Sequence, residues 1–295
     1  MRQAAIVCFG EMLWDLLPTG KVAGGAPMNV AIHLHRLGAP TYFISRVGAD
    51  PLGEELQNWL KTTGLPLAGI QTDPSLPTGQ VNVSLDANGN ATYDIVQPAA
   101  WDHIAVAPDA RAVVREADYF VFGSLVARQS YSANTLRRFL EYANTRVFDV
   151  NLRTPFYKRE QIISLLLSAD MVKMNADELA LISDWLGPWD TPEEAVEGLA
   201  DTFEWEACCV TLGDKGAMLY QDGAFFKHPG FKVDVKDTVG SGDAFLAAWL
   251  QQRLAGTPPQ EALRIACALG ALVASHSGAT PSIAQADLKK LLESK

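Results

Sequence analysis

The run Asp237-Thr238-Val239-Gly240-Ser241-Gly242-Asp243-Ala244-Phe245 gathers the residue types that can hold and move a charged group. Two glycines around a small serine let the backbone pass close to a ligand with its N–H groups turned inward. The helical run Leu246 to Leu254 that follows adds the positive end of a helix dipole, so the loop suits an anion. Asp243 at its mouth is poorly placed as a simple salt-bridge partner and well placed to take a proton from an attacking hydroxyl. The same residue also suits a helix cap after a glycine turn, and spacing alone leaves both readings open.

A second cluster, Gly24-Gly25-Ala26-Pro27-Met28-Asn29-Val30-Ala31, opens the first long helix. The paired glycines permit close backbone approach, Pro27 starts the helix, and Asn29 in its first turn offers donors and an acceptor to a polyol, or is an incidental residue of a helix start. Asp15, between Trp14 and Leu16, is an ionisable group in an apolar setting that a pair of hydroxyls would satisfy. Two other phosphate devices are absent. Lys21 is followed by Val22, with no glycine five positions before Gly20, so there is no P-loop; Gly10-Glu11-Met12 begins no dinucleotide fingerprint, which disfavours a nicotinamide-dependent oxidoreductase. His33 and His35 fall on different helix faces and cannot share a metal.

These residues need a frame that brings distant loops together. Ala4 to Phe9 reads as a buried strand, Pro27 to Leu37 as a helix closed by Gly38, and Thr41 to Val47 as a strand. Asp50-Pro51 then caps a helix reaching to about Thr63. Tyr119 to Phe122, Arg146 to Val150, Met171 to Met174 and Ala207 to Leu212 continue the alternation, which implies an α/β fold with a mostly parallel sheet sandwiched by helices. Two stretches depart from it. Residues 11–23 are too long for a simple loop, and Gln80 to Leu85 with Ala91 to Val96 form a hairpin around Asp86-Ala87-Asn88-Gly89-Asn90. Together, over about 11–23 and 79–98, they are expected to make a small antiparallel β lid over the carboxyl ends of the main strands, in one domain spanning 1–295.

Composition narrows the function classes. The chain has 295 residues, 48% hydrophobic and 20% charged, as an ordinary globular protein does. Lys and Arg number 24 against 34 Asp and Glu, a net charge of −10 without any basic run, which argues against nucleic-acid or anionic-membrane partners. Apolar runs are too short to span a bilayer and no export signal opens the chain, so a cytoplasmic location is expected. Cys8, Cys208, Cys209 and Cys267 lack metal-ligand spacing and read as buried free thiols.

Gly24-Gly25 with Asn29, Ala31 and Leu37-Gly38, and downstream Gly48-x-Asp50-x-x-Gly53, resembles the N-terminal signature of the ribokinase-like (PfkB) carbohydrate kinases. Asp237-Thr238-x-Gly240-x-Gly242-Asp243 resembles their C-terminal signature. Asp149-Val150-Asn151-Leu152-Arg153, Asn175-x-x-Glu178, Thr211-x-Gly213-x-x-Gly216 and Gly278-x-x-Pro281-Ser282 extend the likeness along essentially the whole chain. Within the family, Gly10-Glu11-Met12-Leu13-x-Asp15 followed by Gly-Gly-Ala-Pro-x-Asn-Val-Ala is most similar to the fructokinases.

The resemblance implies a ribokinase-like fold and ATP-dependent phosphorylation of a sugar hydroxyl, with fructose first, and ribose, 2-keto-3-deoxygluconate or a nucleoside as rivals. A binding regulator that kept the pocket without turnover is the rival from another class; intact Asp243, Asn175 and Glu178 count against it. The resemblance makes Asp243 the catalytic base and Gly240, Ser241 and Gly242 the anion hole, although most relatives carry Ala where this chain has Ser241. It puts Asp15, Gly25 and Asn29 against sugar hydroxyls, and Arg153 either against substrate or phosphate or in a surface salt bridge. Asn175 and Glu178 match the motif that organises Mg²⁺ and phosphate, largely through water, an arrangement hard oxygen ligands suit. Thr211, Gly213 and Gly216 fall beside the nucleotide. Asp237, with the carbonyls of Val239, Val273 and Gly278 and with Ser282 near them, falls where several relatives hold K⁺; alternatively Asp237 only caps the turn through nearby amides. An exposed lid edge invites pairing with the lid of a second copy.

Overall fold

The computed structural model describes residues 5–18, 20–85 and 91–294. Its strands are β1 (Ile6–Phe9), β2 (Leu13–Leu17), β3 (Gly20–Gly24), β4 (Thr41–Gly48), β5 (Ile70–Asp73), β6 (Gly79–Leu85), β7 (Ala91–Ile95), β8 (Tyr119–Gly123), β9 (Thr145–Asp149), β10 (Met171–Asn175), β11 (Ala207–Thr211), β12 (Ala217–Gln221) and β13 (Ala224–His228). The main sheet runs β5-β4-β1-β8-β9-β10-β11-β12-β13. All neighbours from β5 to β11 are parallel, and β12 and β13 turn back antiparallel.

Parallel strands covered on both faces must be apolar on both faces. Residues Ile6 to Phe9 are wholly buried, and so are Met171 to Met174, Lys173 included. One face packs Phe9, Phe120, Phe122, Phe139 and Phe148 together. The other lies under the helices Ala26–Arg36, Ser241–Leu254 and Pro259–Ala274, with Met28, Trp249 and Leu263 between them. Each such fully buried side chain contributes about 1.5–3 kcal/mol. The four cysteines are free and buried, as expected. Among the described residues no helix is long and apolar enough to cross a membrane.

The lid is a separate four-stranded sheet, β3-β2-β6-β7. Its two hairpins are antiparallel within themselves, but β2 and β6 join in parallel, so the sheet is mixed where an antiparallel one was expected. The reason is that β2 follows β1 and β6 follows β5, two strands that run the same way in the main sheet, so both segments enter the lid from carboxyl ends. The turn at 86–90 lies outside the described residues. The register sets Asp15 opposite both Val22 and Val81, and Val81 opposite Ile95, so these residues share one face.

Two side chains tie the second hairpin to the body. Asp50 caps the helix Pro51–Thr62 through Gly53 N–H at 2.8 Å and also accepts from the amide and hydroxyl of Thr78 at 2.8 and 2.7 Å. Arg128 donates to the Val96 carbonyl at 2.9 Å while pairing with Asp102. The Gly48-x-Asp50-x-x-Gly53 spacing has a steric cause: a Cβ on Gly53 would sit 2.2 Å from the Gly48 carbonyl oxygen.

Candidate active site

Five parallel strands end at one cavity. Glu11 follows β1, Ser124 follows β8, Asn151 and Arg153 follow β9, Asn175 ends β10 and Thr211 ends β11; Leu13, Asp15, Val81 and Ile95 of the lid form the roof. The volume is about 790 Å³, within the roughly 300–1,000 Å³ of small-molecule sites. Carboxyl strand ends are where open α/β sheets bind ligands.

The glycine loop forms one wall. Gly240 has φ 77° and a Cβ there would lie 2.3 Å from the Ala279 carbonyl oxygen, so no other residue fits. The Ala279 segment is itself held by His33, whose Nε2 donates to the Ala279 carbonyl at 3.0 Å; burial pushes that imidazole down to about 4 and keeps it neutral. Ser241 N–H turns back to the Thr238 carbonyl at 3.2 Å, so the anion cradle is narrower than the sequence suggests. It falls to the amides of Gly242 and Asp243, in the first turn of Ser241–Leu254, where helix geometry supplies no intrahelical acceptor.

Asp243 does not cap that helix: the cap position is Gly240, without a side-chain bond. Its carboxylate, 8% exposed, accepts from Asn29 Nδ2 at 2.8 Å. Burial pushes it up to about 6, the neighbouring Asp149 adds to this, and Lys173, Asn29 and Arg153 oppose it. Asn29 therefore spends its donor on Asp243, leaving its buried and otherwise unpartnered Oδ1 for a ligand. Gly25, at φ 119°, crosses the Glu11 backbone so closely that a Cβ would meet the Glu11 carbonyl oxygen at 2.4 Å. Asp15 lies against Gly24, and burial raises it to about 6 against the pull of Arg153. Arg153 is exposed on the cavity wall, donates to the Leu152 carbonyl at 3.0 Å and makes no ion pair among the described residues.

On the far side Asn175 and Glu178 form a reciprocal capping box, each side chain accepting the other's N–H at 2.8 Å. The second Glu178 oxygen accepts from Leu152 N–H at 2.8 Å. Thr211 lines the cavity, whereas Gly213 and Gly216 lie in the β11–β12 turn off its wall; a Cβ on Gly216 would meet the His228 carbonyl oxygen at 2.0 Å. The structure joins Asp237 to Val239 and Gly278, but through their amides, each 3.0 Å from one carboxylate oxygen, which is the turn cap. The Val273 carbonyl accepts from His276 N–H, and Ser282 is exposed.

Three site residues escaped a residue-by-residue reading. Glu11 is 4% exposed with Oε2 unpartnered, and burial lifts it to about 7. Lys173 and Asp149 form a buried pair at 2.9 Å beneath the glycine loop. A lysine inside the apolar run Met-Val-Lys-Met is the signal that would have found the pair, since buried lysines are almost always paired.

The sequence profile of pfkB family carbohydrate kinases matches residues 6–286. The chain belongs to the PfkB family. Among similar members, a "Probable fructokinase-6, chloroplastic" of Arabidopsis thaliana is 32% identical over 308 residues, covering 94% of this chain and 79% of the plant protein. "Fructokinase-1" of Zea mays is 31% identical over 321 residues, covering 98% and 97%. Solved PfkB-type folds agree: the fructokinase of Xylella fastidiosa with bound ATP superposes with a TM-score of 0.84 at 25% identity over 99% of each chain. The fructokinase of Vibrio cholerae O395 in its fructose, ADP and calcium ion bound form gives a TM-score of 0.84 at 25% identity, over 99% of this chain and 100% of that one. This carbohydrate kinase thus carries both signature loops of its family on the walls of one cavity.

Proposed function

We propose that this PfkB kinase transfers the γ-phosphoryl group of ATP to a primary hydroxyl of fructose, with Asp243 as the base. The observation that carries the reading is the buried Asp243 carboxylate, fixed by Asn29 beside the free first-turn amides of Ser241–Leu254. A sugar hydroxyl between them would lose its proton to Asp243 as its oxygen attacks phosphorus in line, while those amides offset the charge of the transferring group. Asp15, Gly25, Asn29 and Arg153 would hold the sugar, and Asn175 and Thr211 the nucleotide side.

The charge of the sugar compartment supports a neutral polyol. Glu11, Asp15 and Asp243 face it, with Arg153 and the Asp149-paired Lys173 as counter-charges, a poor setting for a keto acid such as 2-keto-3-deoxygluconate. Relatives named as fructokinases, one of them solved with fructose and ADP, point the same way. Mg²⁺ suits the phosphate end: no group of three or more metal-binding side chains exists among the described residues, so the ion would take its oxygens chiefly from phosphate and water, with Glu178 reaching it through water. When bound, it would neutralise phosphate charge. Two copies pairing lid to lid would cover Leu17 and Val22, 37% and 42% exposed on the lid face that carries Asp15.

The test is a coupled ADP-release assay across fructose, ribose, 2-keto-3-deoxygluconate, adenosine and aminoimidazole riboside. Fructose is expected to give the highest kcat/KM; a rival ahead by more than about tenfold, a transition-state preference of about 1.4 kcal/mol, would replace it. Binding of sugar and ATP without turnover of any would favour the regulator.

A further inference from the structure

Lys173 is a charged side chain set among the buried apolar residues Met171, Val172 and Met174 of β10. Its Nζ donates to Asp149 Oδ1 at 2.9 Å, while Asp149 Oδ2 is buried with no partner. The pair is therefore not closed on itself. A Cβ on Gly242 would lie 3.0 Å from Nζ, which puts the ammonium directly under the anion cradle and one residue from the base. Such a pair is weak support for a fold, because well-packed apolar residues serve a buried strand as well or better.

The groups around Asp243 have opposing effects. Asp149 on β9 and Glu11 behind β1 press it toward the acid form; Lys173 on β10, Arg153 behind β9 and the Asn29 amide press it toward the carboxylate. Lys173 stays firmly cationic: burial weakens its charge, but Asp149, then Asp243 and Glu178, more than restore it. We propose that Lys173 is a positioning residue for phosphoryl transfer, its ammonium shared between Asp149 and Asp243 so that Asp243 stays in the carboxylate form that accepts the hydroxyl proton. This rests on Asp243 being the base.

The two neighbours of Asp243 then act with opposite sign. Carboxyl ¹³C NMR titration of the substrate-free enzyme, with Asp243→Asn assigning the resonance, reads the Asp243 midpoint directly. Lys173→Met is expected to raise that midpoint by about one to three pH units and to carry the acid limb of kcat/KM upward with it, with the fructose KM changed less than about twofold. Asp149→Asn is expected to lower it. Identical midpoints in the wild type and Lys173→Met overturn the proposal. Should Lys173→Met fail to fold by thermal melting, the near-isosteric Asp149→Asn/Lys173→Gln pair replaces it. Its midpoint must then lie above that of Asp149→Asn, and coincidence of the two is again fatal. If no sugar is turned over at any pH the fructokinase reading fails, while the titration still decides whether Lys173 holds Asp243.

Discussion

Two buried carboxylate–cation pairs, one tying down the lid and one under the glycine loop, differ in completeness. In the lid tether, Arg128 meets Asp102 through two bonds of 2.8 Å, Asp102 also accepts from Ala99 N–H at 2.9 Å, and the guanidinium stacks 3.9 Å from Trp101. In the floor, Lys173 meets Asp149 through one bond, and the other carboxylate oxygen has none. The closed pair fixes geometry and has nothing left to offer a ligand. In the open pair Lys173 lines the cavity, and its field is left to act on a neighbour. Glu11 Oε2 and Asn29 Oδ1, which line the same cavity, are likewise buried without a partner.

The contrast can be broken by substitution. Asp243→Asn keeps shape and loses basicity, so kcat should fall by roughly 10²–10⁴-fold while ATP binding, followed by calorimetry, stays near normal; near-normal kcat would dissolve the functional half of the comparison. Arg128→Met leaves Asp102 buried and uncompensated, and should cost about 3–5 kcal/mol in urea unfolding without moving the acid limb of the rate profile. A moved limb would mean that the closed pair also acts on chemistry.

Acid titration sharpens it. The transfer needs ionised Asp243, whose carboxyl stands at about 6, so kcat/KM should decline about tenfold per pH unit below that value. Stability runs the other way. A carboxyl raised by burial favours the fold when protonated, below its ordinary 3.8, and that contribution is lost as pH rises through about 6. Asp243→Asn should therefore exceed the wild type in unfolding free energy by a margin that grows to about 3 kcal/mol by pH 7. The smallest effect concerns Asp237, whose oxygens are both taken by amides. Exchanging K⁺ for Na⁺ or a bulky organic cation at constant ionic strength should change turnover by less than about twofold.

Periodicity and turn chemistry made the parallel core and the helix starts legible, because the buried strands are mostly apolar and Asp50 and Pro51 announce their helix. The hairpin of β12 and β13 was not read, although Asp222-Gly223, both at positive φ, is a recognisable tight-turn pair. The edge strand β5, Ile-Gln-Thr-Asp, is too short and too polar to stand out. The signature loops were legible by resemblance. Their partners were not: that the Asn29 amide donates to Asp243, or which amide of the glycine loop is already used, depends on packing that spacing does not encode. Lys173 is hidden in the sequence by its apolar neighbours Met171, Val172 and Met174, and only the fold shows what it faces.

Glu178 joins two loops with one side chain, through Leu152 N–H on the sugar wall and Asn175 N–H on the nucleotide wall. On the proposed assignment of the walls, a substrate that orders one would order part of the other through Glu178. Such linkage is mutual by necessity: saturating nucleotide should then tighten sugar binding by the same factor by which saturating sugar tightens nucleotide binding.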